Sequence, residues 1–358
     1  MIALNMGSPL PPPIAEAQFY HWFWILGVLT LAVTTVAVVR RLRRHLESDV
    51  DTAFPSAYYG LLRGLGALWL LDGLLQAQPL MITRFIGGFL APLIQGQPAF
   101  LRSLIDVGIR VWGINPVVWN ECSTWIQIAI GFFLLFGSAP WRRFGLWLSV
   151  IWSVVVWVGG EAMGSLFNGG SWLDGSPGSA LLYLLLAVLL LQPPAFWRSS
   201  RVTKTVSYSM AGLWGLSAFL QAWPASGFWQ GQTLSSYVFS MADMPQPSFI
   251  SSPMYAWAAQ LGSHPARWNA GLVILFALLA ALWIVRPRSV VTWWITALVT
   301  LSTWWFGQDF GVLGGMGTDP NSGVVVLLVL GTYAQMIALP VLGHAVWPRL
   351  FAKERVRS

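Results

Sequence analysis

The stretch LWLLDGLLQAQP at positions 68–79 returns in altered form as LWGLSAFLQAWP at positions 213–224. Each copy is an apolar run that keeps a glutamine three residues before a closing proline, a residue that stops helices. Similarity at a fixed spacing is the signature of an internal repeat. These two stretches therefore predict that the chain holds two related units, each with a helix that ends at this proline.

More matches follow in the same order along both halves. They are Trp119–Asn120 with Trp268–Asn269, GEAMGSL from Gly160 with GQDFGVL from Gly307, and DGSPG from Asp174 with DPNSG from Asp319. Because each half contains the same series of elements, both should cross a membrane in the same direction. We predict parallel repeats, related by a twofold axis along the membrane normal.

The composition indicates a membrane protein. Hydrophobic residues make up 56% of the 358 residues and charged residues only 9%, whereas soluble domains carry roughly a quarter charged residues. Apolar runs near the ~20 residues that a spanning helix needs occur at 19–39, 57–79, 116–137, 144–166, 178–192, 205–224, 267–285, 289–311 and 323–346. We therefore predict an all-α, polytopic membrane protein with one N-terminal helix, two four-helix repeats and about nine transmembrane helices in all.

The repeats and the apolar runs divide the chain into three parts. Residues 1–50 should form an outer tail and a transmembrane anchor, 51–204 the first repeat, and 205–358 the second repeat with a cytoplasmic tail. The long connections at 80–115 and 225–265 contain apolar stretches with scattered charges, which favours interfacial or re-entrant helices.

Basic residues set the predicted orientation. Lys and Arg are absent before a cluster that starts at Arg40, which predicts an outer N-terminus and a cytoplasmic C-terminus in a bacterial inner membrane. Four basic residues then fall on the outer side: Arg84, Arg102, Arg110 and Arg267. The net charge is +7, and the basic residues that cause it lie between apolar runs rather than along one folded surface. We therefore expect the lipid bilayer and not nucleic acid as a partner.

Acidic residues in spans are the first candidates for function, because an ionisable side chain costs roughly 2.5 kcal/mol or more at the bilayer centre. Four acids fall in or near predicted spans: Asp72, Glu121, Glu161 and Asp309. Asp72 and Gln76 share a helical face, where they could bind a quinone carbonyl or relay a proton. Alternatively, Asp72 has a structural role and holds helices together by pairing with Arg63 or with a backbone group.

Glu161 and its counterpart Gln308 each lie within a pair of glycines four residues apart, a spacing that lets helices approach closely. We expect Glu161 to be partly hydrated near the outer surface, or to accept a hydrogen bond from the Trp119–Asn120 region. Polar side chains with a structural role are expected at Arg63, Asn120, Gln221, Asn269 and Gln308.

The four histidines are candidates for haem ligation. His21 and His264 should lie on the outer side and His45 and His344 on the inner side, so each side could supply two axial ligands. Their sequence context favours solvated or interfacial histidines instead. Since CxxCH, HExxH and glycine-rich phosphate loops are absent from the sequence, we expect no metal site, disfavour haem, and treat a quinone as the candidate cofactor.

Several short motifs occur together in the first unit. They are Arg63-Gly-Leu-Gly, Gly73-Leu-Leu-Gln, Glu121, the run IGFFLLFG from Ile130, and Arg142–Arg143. This pattern resembles the DoxX-like and MauE-like four-helix membrane family, present here in tandem over 55–200 and, less closely, over 205–347. The resemblance implies a membrane protein of a redox system, such as thiosulfate:quinone oxidoreductase or the maturation of methylamine dehydrogenase.

The second unit departs from this pattern at its polar positions. In place of Arg63, Asp72 and Glu121 it has Tyr208, Ser217 and Ala270. We therefore expect the first unit to carry any chemistry and the second unit to be structural.

Three functions fit these features. The first is a membrane subunit of a redox or respiratory complex, which anchors membrane or periplasmic partner subunits and contributes to a quinone-linked site. The second is a small-solute or ion transporter, favoured by the tandem repeats and the acids within spans. The third is a non-catalytic assembly or scaffold protein, so the sequence leaves open whether the chain is an enzyme.

Overall fold

The computed structural model describes residues 10–45, 53–312 and 317–338. Within these ranges the chain is all-helical and contains no strand. The α-helices are α1 (Pro12–His45), α2 (Ser56–Gln76), α3 (Pro79–Phe85), α4 (Ala99–Ile114), α5 (Pro116–Phe136), α6 (Ala139–Gly159), α7 (Ser179–Leu190), α8 (Pro194–Trp197), α9 (Ser200–Ala222), α10 (Thr233–Ala242), α11 (Ser248–Ser263), α12 (Pro265–Val285), α13 (Val290–Phe306) and α14 (Asn321–Met336). Each predicted apolar run overlaps one of these helices, and the last run extends beyond the described residues.

Helix length separates the apolar helices into two groups. By length and composition, α1, α6 and α12 can each cross a membrane, and α2 together with 79–94, bent by 66° at Pro79, makes a fourth candidate. The helices α7, α13 and α14 are apolar but shorter, with 12, 17 and 16 residues. The described helices thus include several that suit a membrane, and the number of nine spans stays a prediction.

Two predicted spans end earlier than the sequence indicated. The run 144–166 was expected to continue through Glu161, but α6 ends at Gly159. The run 289–311 was expected to include Asp309, but α13 ends at Phe306. Both helices stop because left-handed residues follow, which a right-handed helix cannot contain. These residues are Ala162, Met163 and Gly164 with φ of 47°, 55° and 64°, and Asp309, Phe310 and Gly311 with φ of 46°, 55° and 72°.

Glycines bring the first-half helices α2 and α5 into close contact. A Cβ atom added to Gly131 on α5 would lie 2.6 Å from the carbonyl oxygen of Gly66 and 2.8 Å from the backbone nitrogen of Leu70 on α2. The corresponding second-half pair, α9 and α12, meets where Gly215 faces Ala280. Small residues at these crossings allow the backbone approach that stabilises helix pairs in lipid.

The long connections are helical, as predicted. Residues 80–115 contain most of α3, a π-helical turn at Ile86–Leu90, a short 3-10 turn and α4, while 225–265 contains α10 and α11. On α4, Leu101 and Ile105 are buried against the protein, whereas Phe100 and Leu104 are exposed. Their position at the membrane surface stays a prediction.

The last described helix joins the two halves. Helix α14 packs against α2 and α7 as well as against its neighbour α13. A Cβ atom on Gly64 of α2 would overlap Leu328 of α14, so these two helices are in direct contact. This packing places Thr318 and Asp319, which precede α14, beside helices of the first half.

Candidate functional site

A cavity of about 180 Å³ lies inside the first half. It is bounded by the C-terminal parts of α2, α4 and α6, the first half of α5, the start of α7, and the turn around Phe89. Aromatic rings from several of these elements form its walls, among them Trp69, Phe85, Trp112 and Trp152. A concave space with mostly apolar walls and a few polar groups is the usual form of a small-molecule site.

Two of the predicted site residues line this cavity from α2. Asp72 and Gln76 are each 3% exposed, one helical turn apart. The hydroxyl of Tyr183 on α7 donates to Oδ1 of Asp72 at 3.4 Å. The predicted pairing with Arg63 is therefore replaced by a tyrosine from another helix, and Arg63 itself is exposed on α2.

Gln76 is held in place by Asn120 on α5. Its Nε2 donates to Oδ1 of Asn120 at 2.6 Å, and Nδ2 of Asn120 donates to the backbone oxygen of Gln76 at 3.1 Å. The second half repeats this arrangement, with Gln221 Nε2 donating to Asn269 Oδ1 at 2.7 Å. The amides Asn120, Gln221 and Asn269 thus join α2 to α5 and α9 to α12.

Glu161 enters the cavity from the turn between α6 and α7. Its Oε1 accepts hydrogen bonds from the hydroxyl of Ser179 at 2.6 Å and from the backbone N–H of Ala180 at 3.1 Å. The sequence left two alternatives open, partial hydration or a donor from the Trp119–Asn120 region. The observed donors lie outside that region, and Glu161 is half-buried, which is compatible with partial hydration. The donors instead come from α7, since α6 ends before Glu161 and the chain turns back at once.

Asp319 brings a third carboxylate to the cavity, from the second half of the chain. Its Oδ1 accepts from the backbone N–H of Asn321 at 2.6 Å, and its Oδ2 accepts from the hydroxyl of Thr318 at 3.2 Å. Ser179 is a hydrogen-bonding neighbour of Asp319 as well as of Glu161. One hydroxyl therefore lies between two carboxylates that belong to different halves.

The two carboxyl groups in these turns lie outside the spanning helices, and both are half-buried. Burial, followed by the nearby Asp319 carboxylate, raises the pKa of Glu161 to about 7, although hydrogen bonds from Ser179 and Ala180 lower it. Burial also raises the pKa of Asp319. Carboxyl groups with such raised pKa values can take up and release protons near neutral pH.

Three further polar atoms on the cavity wall have no hydrogen-bond partner among the described residues. They are Nε1 of Trp112, Nε1 of Trp152 and Oε1 of Gln127. Gln127 is 6% exposed, and its Nε2 is occupied by Ser123 at 3.3 Å. Because buried polar atoms are normally hydrogen-bonded, two free N–H donors and one free acceptor on one cavity indicate a place for a ligand.

The remaining predicted acids lie elsewhere. Glu121 is partly buried on α5, where Oε1 accepts from Nε1 of Trp125 at 2.6 Å. Asp309 is 4% exposed in the left-handed turn after α13, and neither carboxylate oxygen has a partner among the described residues. Gln308 has a structural role, because its Nε2 donates to the backbone oxygen of Trp172 at 2.9 Å and its Oε1 accepts from the N–H of Gly323 at 3.1 Å.

The histidines predicted as haem ligands occupy separate positions. His21 is exposed on α1 beside Trp22, and His264 is exposed between α11 and α12, where Nδ1 lies 3.2 Å from Ser263 Oγ. The side chain of His45 and all of His344 lie outside the described residues. No group of three or more His, Cys, Asp or Glu residues suited to a metal ion occurs in the described ranges.

In the second half, three of the four positions that match polar residues of the cavity wall are apolar. The second half has Ser217, Phe276, Val299 and Leu328 at the positions that correspond in the repeat to Asp72, Gln127, Trp152 and Tyr183. Phe276 is fully buried and stacks near Trp214 at 5.6 Å between ring centroids, while Ser217 bonds to the backbone of its own helix. Apolar side chains thus replace the amide, the indole and the phenol, and a serine bonded within its own helix replaces the carboxyl group.

Some cavity residues were missed by sequence reasoning. Asp319 was passed over because it lies outside the predicted spans, although its match to Asp174 was a signal that the turn recurs in both halves. Trp112 and Trp152 are two of 23 tryptophans, and no sequence signal separates them from the others. Tyr183 is a polar residue in the apolar run of α7, and Gln127 is the last of several polar residues in α5, which are the signals that would have found them.

Comparisons with known proteins give one partial similarity. No family model matches the chain, and no solved structure matches it. The chain is similar to an NADH-quinone oxidoreductase subunit of Rhodopseudomonas palustris, with 27% identity over 162 residues, 43% of this chain and 44% of that protein. The chain thus spans less than half the length of this curated relative, whose name describes one component of a quinone-dependent redox enzyme.

Proposed function

We propose that the chain is an integral membrane subunit of a redox or respiratory complex, and that its cavity binds the head group of a quinone. The observation that carries this proposal is the pair of indole N–H groups, Trp112 and Trp152, which have no partner among the described residues and belong to side chains that line an aromatic cavity. A quinone head group is a flat, apolar ring with two carbonyl acceptors, so it suits walls of aromatic rings with a few donors. The partial similarity to a component of a quinone oxidoreductase supports the same function.

The acidic side chains on the cavity wall suit proton transfer to and from a bound quinone. Asp72, Glu161 and Asp319 all line it, and reduction or oxidation of a quinone moves protons together with electrons. A carboxyl group beside the ring can supply or accept such a proton. The chain itself holds no recognisable electron carrier among its motifs, so partner subunits in the membrane or at its outer face would deliver the electrons.

The wider architecture belongs to the same proposal. We propose a tandem duplication of a DoxX-like unit with about nine spans, an outer N-terminus and a cytoplasmic C-terminus in the bacterial inner membrane. Support comes from geometry that occurs at matching positions: the two Gln–Asn bonds and the two left-handed turns. Also, Asp174 and Asp319 each accept a bond from the backbone N–H two residues later, at 3.1 and 2.6 Å.

Transport of a small cation is the second candidate function. The observation that favours it is that the cavity has three acids and that none of the described residues lining it is basic. A scaffold role without a ligand is the third. These functions differ in what purifies with the protein and in what the protein moves.

The experiment is to purify the protein together with its native neighbours and to record its partner proteins, optical spectra and the content of extracted quinone. Co-purified redox subunits and bound quinone would support the proposal. A colourless protein that carries a cation into liposomes would favour transport, and a ligand-free protein with non-redox partners would favour the scaffold.

Substitutions at the cavity test whether its residues are responsible for quinone-linked activity. Asp72→Asn and Glu161→Gln should lower quinone-linked electron flow by about tenfold or more, because a proton-transfer group is lost. The matched control is Asp106→Asn, which changes an exposed acid on α4 that pairs with Arg110 at 3.1 Å, away from the cavity. If quinone-linked electron flow is unchanged in both cavity variants, at equal amounts of protein in the membrane, Asp72 and Glu161 have no role in this function.

A further inference from the structure

The most exposed part of the cavity wall lies between two helices. The wall residues on α2, α5 and α7 are all buried, whereas three described wall residues are exposed: Gly108, Val155 and Gly160. Gly108 belongs to α4, Val155 belongs to α6, and Gly160 directly follows α6. The cavity is therefore most open between α4 and the C-terminal part of α6.

Two glycines keep this opening wide. Gly108 on α4 and Gly159 at the end of α6 both line the cavity, and a Cβ atom added to either would meet nothing within 4 Å. Glycines at a close helix contact behave differently, since a Cβ atom on Gly131 would overlap α2. At Gly108 and Gly159, neither helix has a side chain that could close the gap.

Exposed apolar side chains flank the opening on both helices. They are Leu104, Val107 and Val111 on α4, and Ile151, Val154 and Val155 on α6. A continuous exposed apolar surface suits hydrocarbon rather than water, and α6 is long and apolar enough to cross a membrane. The opening therefore faces lipid.

The volume of the cavity limits what it can enclose. A cavity of roughly 150 Å³ lined by apolar side chains holds one benzene ring, and the cavity in this protein measures about 180 Å³. A single substituted ring fits within these walls, whereas a chain of isoprene units does not. The tail of a membrane quinone would have to leave the cavity where its wall is open.

We infer that the cavity takes its ligand directly from the lipid, with the ring inside and an isoprenoid tail that leaves between α4 and α6, past Gly108 and Gly159. This inference rests on the proposed function and adds to it the class of ligand, a ring with a long apolar tail, and the path of that tail. The same opening does not suit a small cation, because an ion is costly to place in hydrocarbon.

The test uses the full chain in lipid nanodiscs and two quinones that share one ring. Decylubiquinone carries a decyl tail, and its tail-free analogue carries a methyl group in the same place. Isotope-labelled quinone retained by the nanodiscs measures equilibrium binding, after subtraction of the amount that dissolves in empty nanodiscs. We expect both quinones to bind the unaltered chain.

Leucine at either glycine should separate the two quinones. In Gly108→Leu and Gly159→Leu the new side chain occupies the path of the tail, so decylubiquinone should bind at least about tenfold more weakly. The analogue has no tail to displace, and its binding should stay unchanged. The matched control is Gly113→Leu, also on α4 and with nothing within 4 Å of an added Cβ atom, but away from the cavity. It should change the binding of neither quinone.

A spin label on α6 tests the lipid-facing position of the opening without any quinone. The label is attached to Val155→Cys after the exposed Cys122 has been replaced by serine. Oxygen concentrates in hydrocarbon and a hydrophilic nickel complex stays in water, so we expect oxygen to relax the label more strongly. Stronger relaxation by the nickel complex would overturn entry from the lipid.

The outcomes separate the two claims. If both leucine variants bind decylubiquinone as tightly as the unaltered chain, or lose both quinones equally, the tail path is overturned while a quinone site remains. If the unaltered chain binds neither quinone, the proposed function itself fails. Thermal unfolding of each variant in the same nanodiscs confirms that a loss of binding comes from folded protein.

Discussion

The hydroxyl of Ser179 donates to Oε1 of Glu161 at 2.6 Å, while the same serine neighbours Asp319 from the other half of the chain. Two half-buried carboxyl groups from different halves of the chain therefore lie near the same small hydroxyl. This arrangement makes the protein sensitive to pH, because each carboxyl group is costly to ionise where water is excluded.

The first prediction follows from the raised pKa of Glu161. In the folded protein its pKa is about 7, whereas its ordinary value is 4.5, so the folded state binds more protons between these values. The free energy of unfolding should therefore be highest below about pH 4.5 for this group and should fall as pH rises through about 7. The free energy of unfolding of the Glu161→Gln variant should decline less with rising pH than that of the unaltered chain.

Thermal unfolding over this pH range measures the difference. The carboxyl group of Asp174 remains in both proteins and contributes to both curves. Asp319 also remains, but its carboxylate interacts with Glu161, so the difference between the curves measures Glu161 together with that interaction. Parallel pH curves for the two proteins would show that Glu161 does not titrate as predicted.

The second prediction compares the two Gln–Asn bonds. Gln76→Leu and Gln221→Leu each leave a buried asparagine without its partner, which should lower the free energy of unfolding by about 1 kcal/mol. Only Gln76 lines the cavity, so only its substitution should also weaken quinone binding. Equal loss of binding in both variants would indicate an effect through the fold rather than through the site.

The third prediction concerns the contact between α2 and α5. Gly131→Ala places a methyl group 2.6 Å from the Gly66 carbonyl oxygen, so the helices must separate, at a cost of about 1–3 kcal/mol. Gly271 on α12 is the matched control, because a Cβ atom there has nothing within 4 Å. Gly271→Ala should be neutral or stabilise by up to about 1 kcal/mol through helix propensity. If Gly131→Ala lowers the free energy of unfolding by less than Gly271→Ala does, the close contact between α2 and α5 is contradicted.

The fourth prediction tests the orientation. Single cysteines at Ser138, before α6, and Pro287, between α12 and α13, should both react with membrane-impermeant reagents only from the cytoplasmic side. A cysteine at Ser248, at the start of α11, should react only from outside. The exposed Cys122 is replaced beforehand. Reaction of Ser138→Cys and Pro287→Cys from opposite sides would exclude the parallel repeat.

The positions of the helices were predictable from sequence, whereas two of their ends were not. Prolines at Pro116 and Pro265 start α5 and α12, and the apolar runs that follow give their extent. The ends of α6 and α13 depend on left-handed turns that contain Met163 and Phe310, residues that seldom adopt this conformation. Tertiary contacts hold such turns, and a local pattern does not reveal them.

The site was predictable where its residues share one helix. Asp72 and Gln76 are one turn apart, so their common face follows from the helical period alone. Asp319 reaches the same cavity only because α14 packs against α2 and α7, which precede it by more than 130 residues of sequence. The donors Trp112 and Trp152 likewise depend on how α4 and α6 meet. Long-range packing therefore decides the part of the site that the sequence alone missed.

The most direct test of a quinone in this cavity is photolabelling of the full chain in native membranes with an azido-quinone, followed by mapping of the labelled peptides. We expect saturable labelling within 85–112 and 152–183, prevented by excess quinol and reduced by Trp152→Phe, which keeps the ring but removes the N–H donor. Labelling that does not saturate, or that falls equally on the matching segment around Phe276 and Val299, would contradict a quinone site in the first half.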